Sequence, residues 1–253
     1  MVQKILLAVL LASVAVPALA ADMPGKAPPR AAIEAVGSWT GFYVFGFGGY
    51  SSGKATPDDF DVADAIDGFH NPKPKGGVFG FGGGYNWQYG RFVGGVEVDY
   101  GFSQEKDSQS VVIDSGTCGE LPCSLSAGLS SKIDALGSAR VRAGFLLADS
   151  FLLYATGGLG FARSQATISE TITVGTQSET ISATAKATNF GWVAGAGIEW
   201  QLMQYLRLRG EYLHYDFGST SYAFSPNFTI GGFNVNAKLT DDVVRGALIW
   251  NFN

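Results

Sequence analysis

Tyr205-Leu206-Arg207-Leu208-Arg209-Gly210-Glu211-Tyr212-Leu213-His214-Tyr215 alternates two kinds of side chain. Leu206, Leu208 and Tyr212 share one parity, while Arg207, Arg209 and Glu211 share the other. Successive side chains of a strand point to opposite faces, so the stretch reads as a β-strand with one apolar and one charged face. If the apolar face meets lipid, a slip of one residue carries two arginines into the bilayer. Each costs about 2–4 kcal/mol near the midplane and less toward the interfaces. The pattern therefore specifies its own register.

The same period recurs along the chain. Trp39, Tyr43, Phe45 and Phe47 share a parity within 39–50. Phe79, Phe81, Gly83, Tyr85 and Trp87 do so within 78–88, against Gly, Asn and Gln. Phe92, Val96, Val98, Tyr100 and Phe102 alternate with Gly95, Glu97, Asp99, Gly101 and Ser103 across 92–103. Ala139, Val141, Ala143 and Phe145 oppose Asp134, Ser138, Arg140 and Arg142. Leu153, Ala155, Leu159 and Phe161 oppose Tyr154, Thr156 and Ser164. Phe190, Trp192, Ala194, Ala196, Ile198 and Trp200 oppose Gly195, Gly197 and Glu199. Val244, Leu248, Trp250 and Phe252 oppose Arg245 and Asn251. With 205–215 this makes eight segments.

The connections alternate too. Tyr89-Gly90, Ala148-Asp149-Ser150 and 201–204 are short, whereas 52–75, 104–131, 165–187 and 218–235 are long and polar. Short turns at one end and long loops at the other are expected of an outer-membrane barrel, with the turns in the periplasm. A soluble barrel would instead put lysine on its solvated wall. Here Lys26, Lys54, Lys73, Lys75, Lys106, Lys132, Lys186 and Lys238 lie in a linker, a loop or a loop-proximal strand end. The mid-strand charges are Arg and acid, on the face that carries most of the Gly, so that face is read as the lumen. The aromatics near the strand ends, on the other face, read as interfacial girdles. The fold class is all-β, an eight-stranded antiparallel up-and-down transmembrane β-barrel.

The ends of the chain agree with export. Lys4, the apolar run 5–16 and Ala18-Leu19-Ala20 form a signal peptide, residues 1–20. Residues 21–37, with Pro24, Pro28 and Pro29, read as a periplasmic Pro-rich linker before a barrel over 38–253. Loss of the signal removes Lys4 and no acid, leaving 16 basic residues (17 − 1) against 22 acidic and a net charge of −6. Such a chain has no electrostatic footprint for nucleic acid. Cys118 and Cys123, in an oxidising compartment with no His near them in sequence, are expected to form a loop-closing disulfide.

Ser38-Trp39-Thr40-Gly41-Phe42-Tyr43-Val44 after a Pro-rich start resembles the small alphaproteobacterial outer-membrane β-barrel proteins, the opacity-protein-like surface antigen and porin family. The same resemblance extends to 82–88, Gly95-Val96-Glu97-Val98-Asp99-Tyr100, Arg140-Val141-Arg142-Ala143-Gly144, 153–158 and Glu211-Tyr212-Leu213-His214-Tyr215-Asp216. It implies surface exposure in the cell outer membrane of a Gram-negative bacterium. Some members are called porins, and some are reported to bind haem or host surfaces. The family usually ends on an aromatic residue read by the barrel-assembly machinery. Here Phe252 is penultimate and Asn253 is last, which bears on assembly efficiency.

Glu97, Asp99, Arg140, Arg142, Glu199, Arg207, Arg209, Glu211 and Arg245 are expected inside the barrel as a paired charge network. An eight-stranded barrel is just wide enough for its side chains to fill, so the pore is expected to be narrow or closed. No catalytic, metal or cofactor site is expected. His70 reads as a solvated turn residue. His214, near the outer rim, could serve a lipid-modifying enzyme with Ser219 or Ser221 as hydroxyl and Asp216 as orienting carboxylate, but the spacing gives this little support. Gly80, Gly82 and Gly84 lie in a strand, so they read as close packing instead of a phosphate loop. Asp58, Asp59, Asp61, Asp64 and Asp67 do not match a calcium loop. The function expected is a surface protein with a structural, envelope-integrity role and loop-mediated interactions; the alternative is a small-solute porin. Its expected partners are outer-membrane lipid and lipopolysaccharide, the assembly machinery and a host or environmental surface ligand.

Overall fold

A computed structural model of the chain describes residues 38–57, 70–224 and 233–252. They form a closed antiparallel barrel in sequence order. Its strands are β1 (Gly41–Pro57), β2 (Lys75–Tyr89), β3 (Phe92–Cys118), β4 (Leu121–Ala148), β5 (Phe151–Val174), β6 (Gln177–Met203), β7 (Leu206–Phe224) and β8 (Phe233–Asn251). The signal-peptide and linker readings, the Asp58–Asp67 cluster and Asn253 lie outside the described residues.

From Val44, hydrogen-bonded partners run Gly83, Val98, Ala139, Leu159, Trp192, Asp216 and Thr240, and Thr240 pairs back onto β1 at Lys54. The ring thus closes ten residues (54 − 44) further along its first strand. With about 3.3 Å rise per residue and about 4.8 Å between strands, this stagger tilts the strands by about 40°.

Exposed rings form two girdles. Phe42, Trp87, Phe92, Phe145, Trp200 and Trp250 mark the end with the short turns, and Tyr50, Phe79, Phe102, Phe190 and Trp192 the other. Rings on adjacent strands support one another, as in Phe92–Phe145 (5.3 Å) and the stacked Phe151–Trp200 (5.6 Å). At the first end Gly90 takes the left-handed conformation (φ 59°) that the tight β2–β3 turn requires.

Three expectations change. Residues 104–131 and 165–187, read as loops, are strand apart from their tip turns: β3–β4 pair in hairpin order to Cys118–Leu121, with register shifts at Phe102/Glu105 and Val112/Asp114, and β5–β6 without a break to Val174–Gln177. Polarity misled the reading, because beyond the membrane both faces of a strand can be solvated. At 27 residues for β3, the hairpins rise about 40 Å past a hydrocarbon band about 25 Å tall. Second, Tyr43, Phe45 and Phe47 face the lumen, and Phe42, Val44 and Tyr50 face outward. Glycines on β2 make room: a Cβ at Gly82 would lie 2.4 Å from Phe45 Cζ, and one at Gly84 2.5 Å from the Tyr43 hydroxyl. Third, a bulge between Ile133 and Ala135 turns Asp134 away from the lumen, where it pairs with Lys132.

Candidate functional site

The inward parity of β3, β4, β6, β7 and β8 brings all nine charged residues named from the sequence into one buried cluster at mid-barrel. Glu97 is its hub. Arg209 grips it with two parallel bonds, Nη1 to Oε1 at 3.0 Å and Nη2 to Oε2 at 2.7 Å. Arg140 Nη2 and the Tyr43 hydroxyl (2.8 Å) also donate to Glu97. Glu199 accepts from Arg142 (2.6 Å), Arg207 (3.2 Å) and Arg209 (2.9 Å). Glu211 accepts from Arg140, Arg245 and the Tyr154 hydroxyl, and Asp99 from Arg140, Arg245 and Ser138. Planar guanidinium forks suit such sharing, since each carries five donors in fixed directions.

Five guanidinium groups meet four carboxylates, so aromatic faces take part of the charge. Arg207 lies 4.5 Å over Trp39, Arg209 4.7 Å over Phe45, Arg245 4.3 Å over Phe47 and Arg142 4.0 Å over Tyr154. The sequence reading missed Tyr43, Phe45, Phe47 and Tyr154 as lumen partners of arginine. For β1 the available signal was the run of glycines on the neighbouring β2, which could accommodate rings only on the inner side.

The cluster is covered at both ends. Toward the short turns, Trp39 packs with Val93, Leu146, Leu152 and Tyr154, and its indole N–H donates to the Asp149 carbonyl at 3.1 Å. On the other side lies an apolar layer including Phe47, Leu136, Tyr215, Phe217 and Val243. Above that layer sit two buried carboxyls. Ser103 donates to Glu105 (2.7 Å) and Ser51 to Asp241 (2.6 Å), while Glu105 Oε2 and Asp241 Oδ2 have no hydrogen-bond partner. No group of three or more His, Cys, Asp or Glu suited to a metal occurs among the described residues.

His214 faces outward at the far girdle, against the Trp192 ring at 5.5 Å. Its Nδ1 lies 2.7 Å from Asp242, which also accepts from Tyr212. Asp216, named from the sequence as the orienting carboxylate, is held instead by Lys238 (3.1 Å) and the Gly218 amide. His70 exchanges two bonds with Gln109 through its main chain. Cys118 and Cys123 are joined by a disulfide across the β3–β4 tip.

Residues 6–240 match the family described as "Outer membrane protein beta-barrel domain". The chain belongs to that family. The chain is similar to the 31 kDa outer-membrane immunogenic protein of Brucella melitensis, 30% identical over 99% of this chain and 100% of that one. The 22 kDa outer membrane protein of Rhizobium leguminosarum is 30% identical over 82% of this chain and 78% of its own. Among solved structures, Neisserial surface protein A aligns over 84% of this chain and 98% of its own, at 13% identity and a TM-score of 0.42. As a member of the outer-membrane barrel family, the chain resides in the outer membrane, with the short turns periplasmic and the long hairpins outside.

Proposed function

We propose that this chain is a closed, non-catalytic anchor that presents two stiff β-hairpins beyond the cell surface. The observation that carries this reading is the lumen, filled in layers by Trp39, the arginine–carboxylate cluster and the apolar layer around Phe47 and Phe217. Arg140, Arg209 and Glu199 are each at most 3% exposed. Every charge of the mid-barrel cluster is also held by at least one counter-charge, so a solute would have to break paired groups to pass. Outside, the β3–β4 and β5–β6 hairpins carry Ser and Thr rungs, such as Thr171–Thr180 at 2.9 Å, and expose residues on both faces at their tips. That surface suits loop-mediated contact with a host or environmental ligand and support of the envelope. The outward row Val244, Leu248 and Trp250 of β8, continued by Phe252 just past it, is the feature available to the assembly machinery.

A narrow anion-preferring channel is the rival reading, favoured by the one unbalanced guanidinium. Single-channel recording of the mature chain refolded in a planar bilayer decides between them. Silence from a demonstrably folded barrel is expected; reproducible, salt-scaled steps would replace the anchor reading with the porin one. At the rim Asp242, in place of Asp216, holds His214, but among the described residues neither Ser219 nor Ser221 is hydrogen-bonded to its ring, so the hydroxyl that catalysis needs is missing. Unaltered lipid A after exposure to the folded protein is the expected result, and modification lost on His214→Ala would reverse it.

A further inference from the structure

The lysines set aside as a topological clue fall into a pattern on the barrel wall. Lys75 of β2 pairs directly with Lys106 of β3, and Lys106 with Lys132 of β4; the row continues through Gln165 of β5 to Lys186 of β6. All four lysines are exposed and share the outward face of Phe79, Phe102 and Phe190. Arg163 on β5, Lys54 on β1 and Lys238 on β8 are also exposed on that face. Seven of eight strands thus carry one outward cation, two to five residues beyond the outer girdle, as with Phe79 to Lys75, Phe102 to Lys106 and Phe190 to Lys186.

Among the described residues nothing explains this belt. Directly opposed side chains on one face have Cβ atoms about 4.5–5.5 Å apart, and like charges in that relation repel. Lys75–Lys106–Lys132 is therefore an unfavourable triplet for the isolated barrel. Among the described residues only two belt cations have an ion-pair partner, Lys132 with Asp134 and Lys238 with Asp216. The other five point outward with no ion-pair partner among the described residues. A flexible ammonium just past an aromatic girdle lies where the polar headgroups of the outer leaflet begin, within reach of their phosphates.

We propose that this belt is a binding surface for the phosphate groups of outer-leaflet glycolipid, with Lys75, Lys106, Lys132 and Lys186 as its densest arc. The lipid anions convert a repulsive row into a paired one, so the barrel gains stability from the leaflet it sits in. The proposal rests on outer-membrane residence and is independent of whether the lumen conducts.

The test is the thermal unfolding midpoint of the mature chain in four settings: neutral phosphatidylcholine vesicles, the same with lipid A, the same with dephosphorylated lipid A, and neutral vesicles with inorganic phosphate. Lipid A is expected to raise the midpoint by several degrees, less in high salt. The other two additions should leave it near the neutral value. In the K75Q/K106Q/K132Q/K186Q variant the rise should fall by half or more, with the midpoint in neutral vesicles unchanged or higher, because opposed charges have been removed. Should that variant not fold, K106Q/K186Q, which removes one cation from each end of the β3–β6 arc, is expected to lose part of the rise. An equal rise with dephosphorylated lipid A, an equal rise with inorganic phosphate, or a full rise in the folded variants would each overturn the proposal.

Discussion

At the scale of single residues, the lumen depends on partners that cannot be removed one at a time. Glu97 accepts from Arg140, Arg209 and Tyr43, so Glu97→Ala leaves buried guanidinium groups short of a counter-charge. Breaking one side of such a network costs about 3–5 kcal/mol, an expected loss to be read from urea unfolding followed by tryptophan fluorescence. Glycine offers the complementary test. A Cβ at Gly82 would lie 2.4 Å from Phe45 Cζ and 2.6 Å from the Val98 carbonyl, whereas one at Gly48 meets nothing within 4 Å. Gly82→Ala should therefore destabilise by about 1–3 kcal/mol and Gly48→Ala should not. Equal effects would mean that the inner trough on β2 is not what seats the rings. Glu105, one residue from the belt cation Lys106 and beyond the outer girdle, is buried facing Asp241, with no hydrogen-bond partner for its Oε2. Burial first, then the Asp241 charge, pushes its carboxyl well above the ordinary range. A carboxyl raised in the folded state holds a proton that the unfolded chain has already released. Stability should then fall as pH rises from the ordinary carboxylate range through the raised value. Glu105→Gln, a neutral side chain of the same shape, should flatten that slope; a variant as pH-dependent as the wild type would remove Glu105 as its source.

At the scale of elements, the outer hairpins and the membrane wall are separable. Between Cys118 and Cys123 the disulfide closes only a short loop, at a tip whose residues are exposed. The chain-entropy estimate for so short a closure is about 2 kcal/mol, applied locally. Cys118→Ser with Cys123→Ser should speed protease cleavage at the tip and leave the barrel's unfolding midpoint where it was. A fall in the midpoint would mean that the tip and wall unfold as one unit. The strands inside the membrane were legible because lipid on one side and a polar lumen on the other impose a strict alternation, as in 205–215. Where lipid ends, so does that constraint. Residues 104–131 and 165–187 therefore looked like loops although their backbone pairing continues to Cys118–Leu121 and Val174–Gln177. β1 was misread for a related reason: an aromatic parity resembles a lipid face unless the glycines of the next strand are considered with it. Arg140, Arg207 and the other charged lumen residues were legible because a guanidinium has few tolerable places in a membrane wall. Glu105 and Asp241 were not, since nothing local distinguishes a buried acid beyond the girdle from a solvated one.

At the scale of the whole molecule, the lumen is filled at three levels. Trp39 covers the periplasmic end, the charge cluster fills the middle, and the layer around Phe47, Tyr215 and Phe217 covers the outer end. The arginines link the first two levels, because Arg207 is bonded to Glu199 and lies over Trp39. The apolar layer is joined to the cluster through the Arg245–Phe47 contact at 4.3 Å. Water needs an unbroken path through all three. Trp39→Ala, or Glu211→Gln within the cluster, should therefore leave a folded barrel silent in single-channel recording even where it lowers stability. Conductance should need the outer layer cut as well, for example Phe47→Ala with Phe217→Ala in the Glu211→Gln background. If Trp39→Ala alone conducts, the indole is the gate and the lumen behind it is already wet. If the combined variant folds and stays silent, the remaining guanidinium groups collapse across the gap, which would place the barrier in the arginine cluster itself.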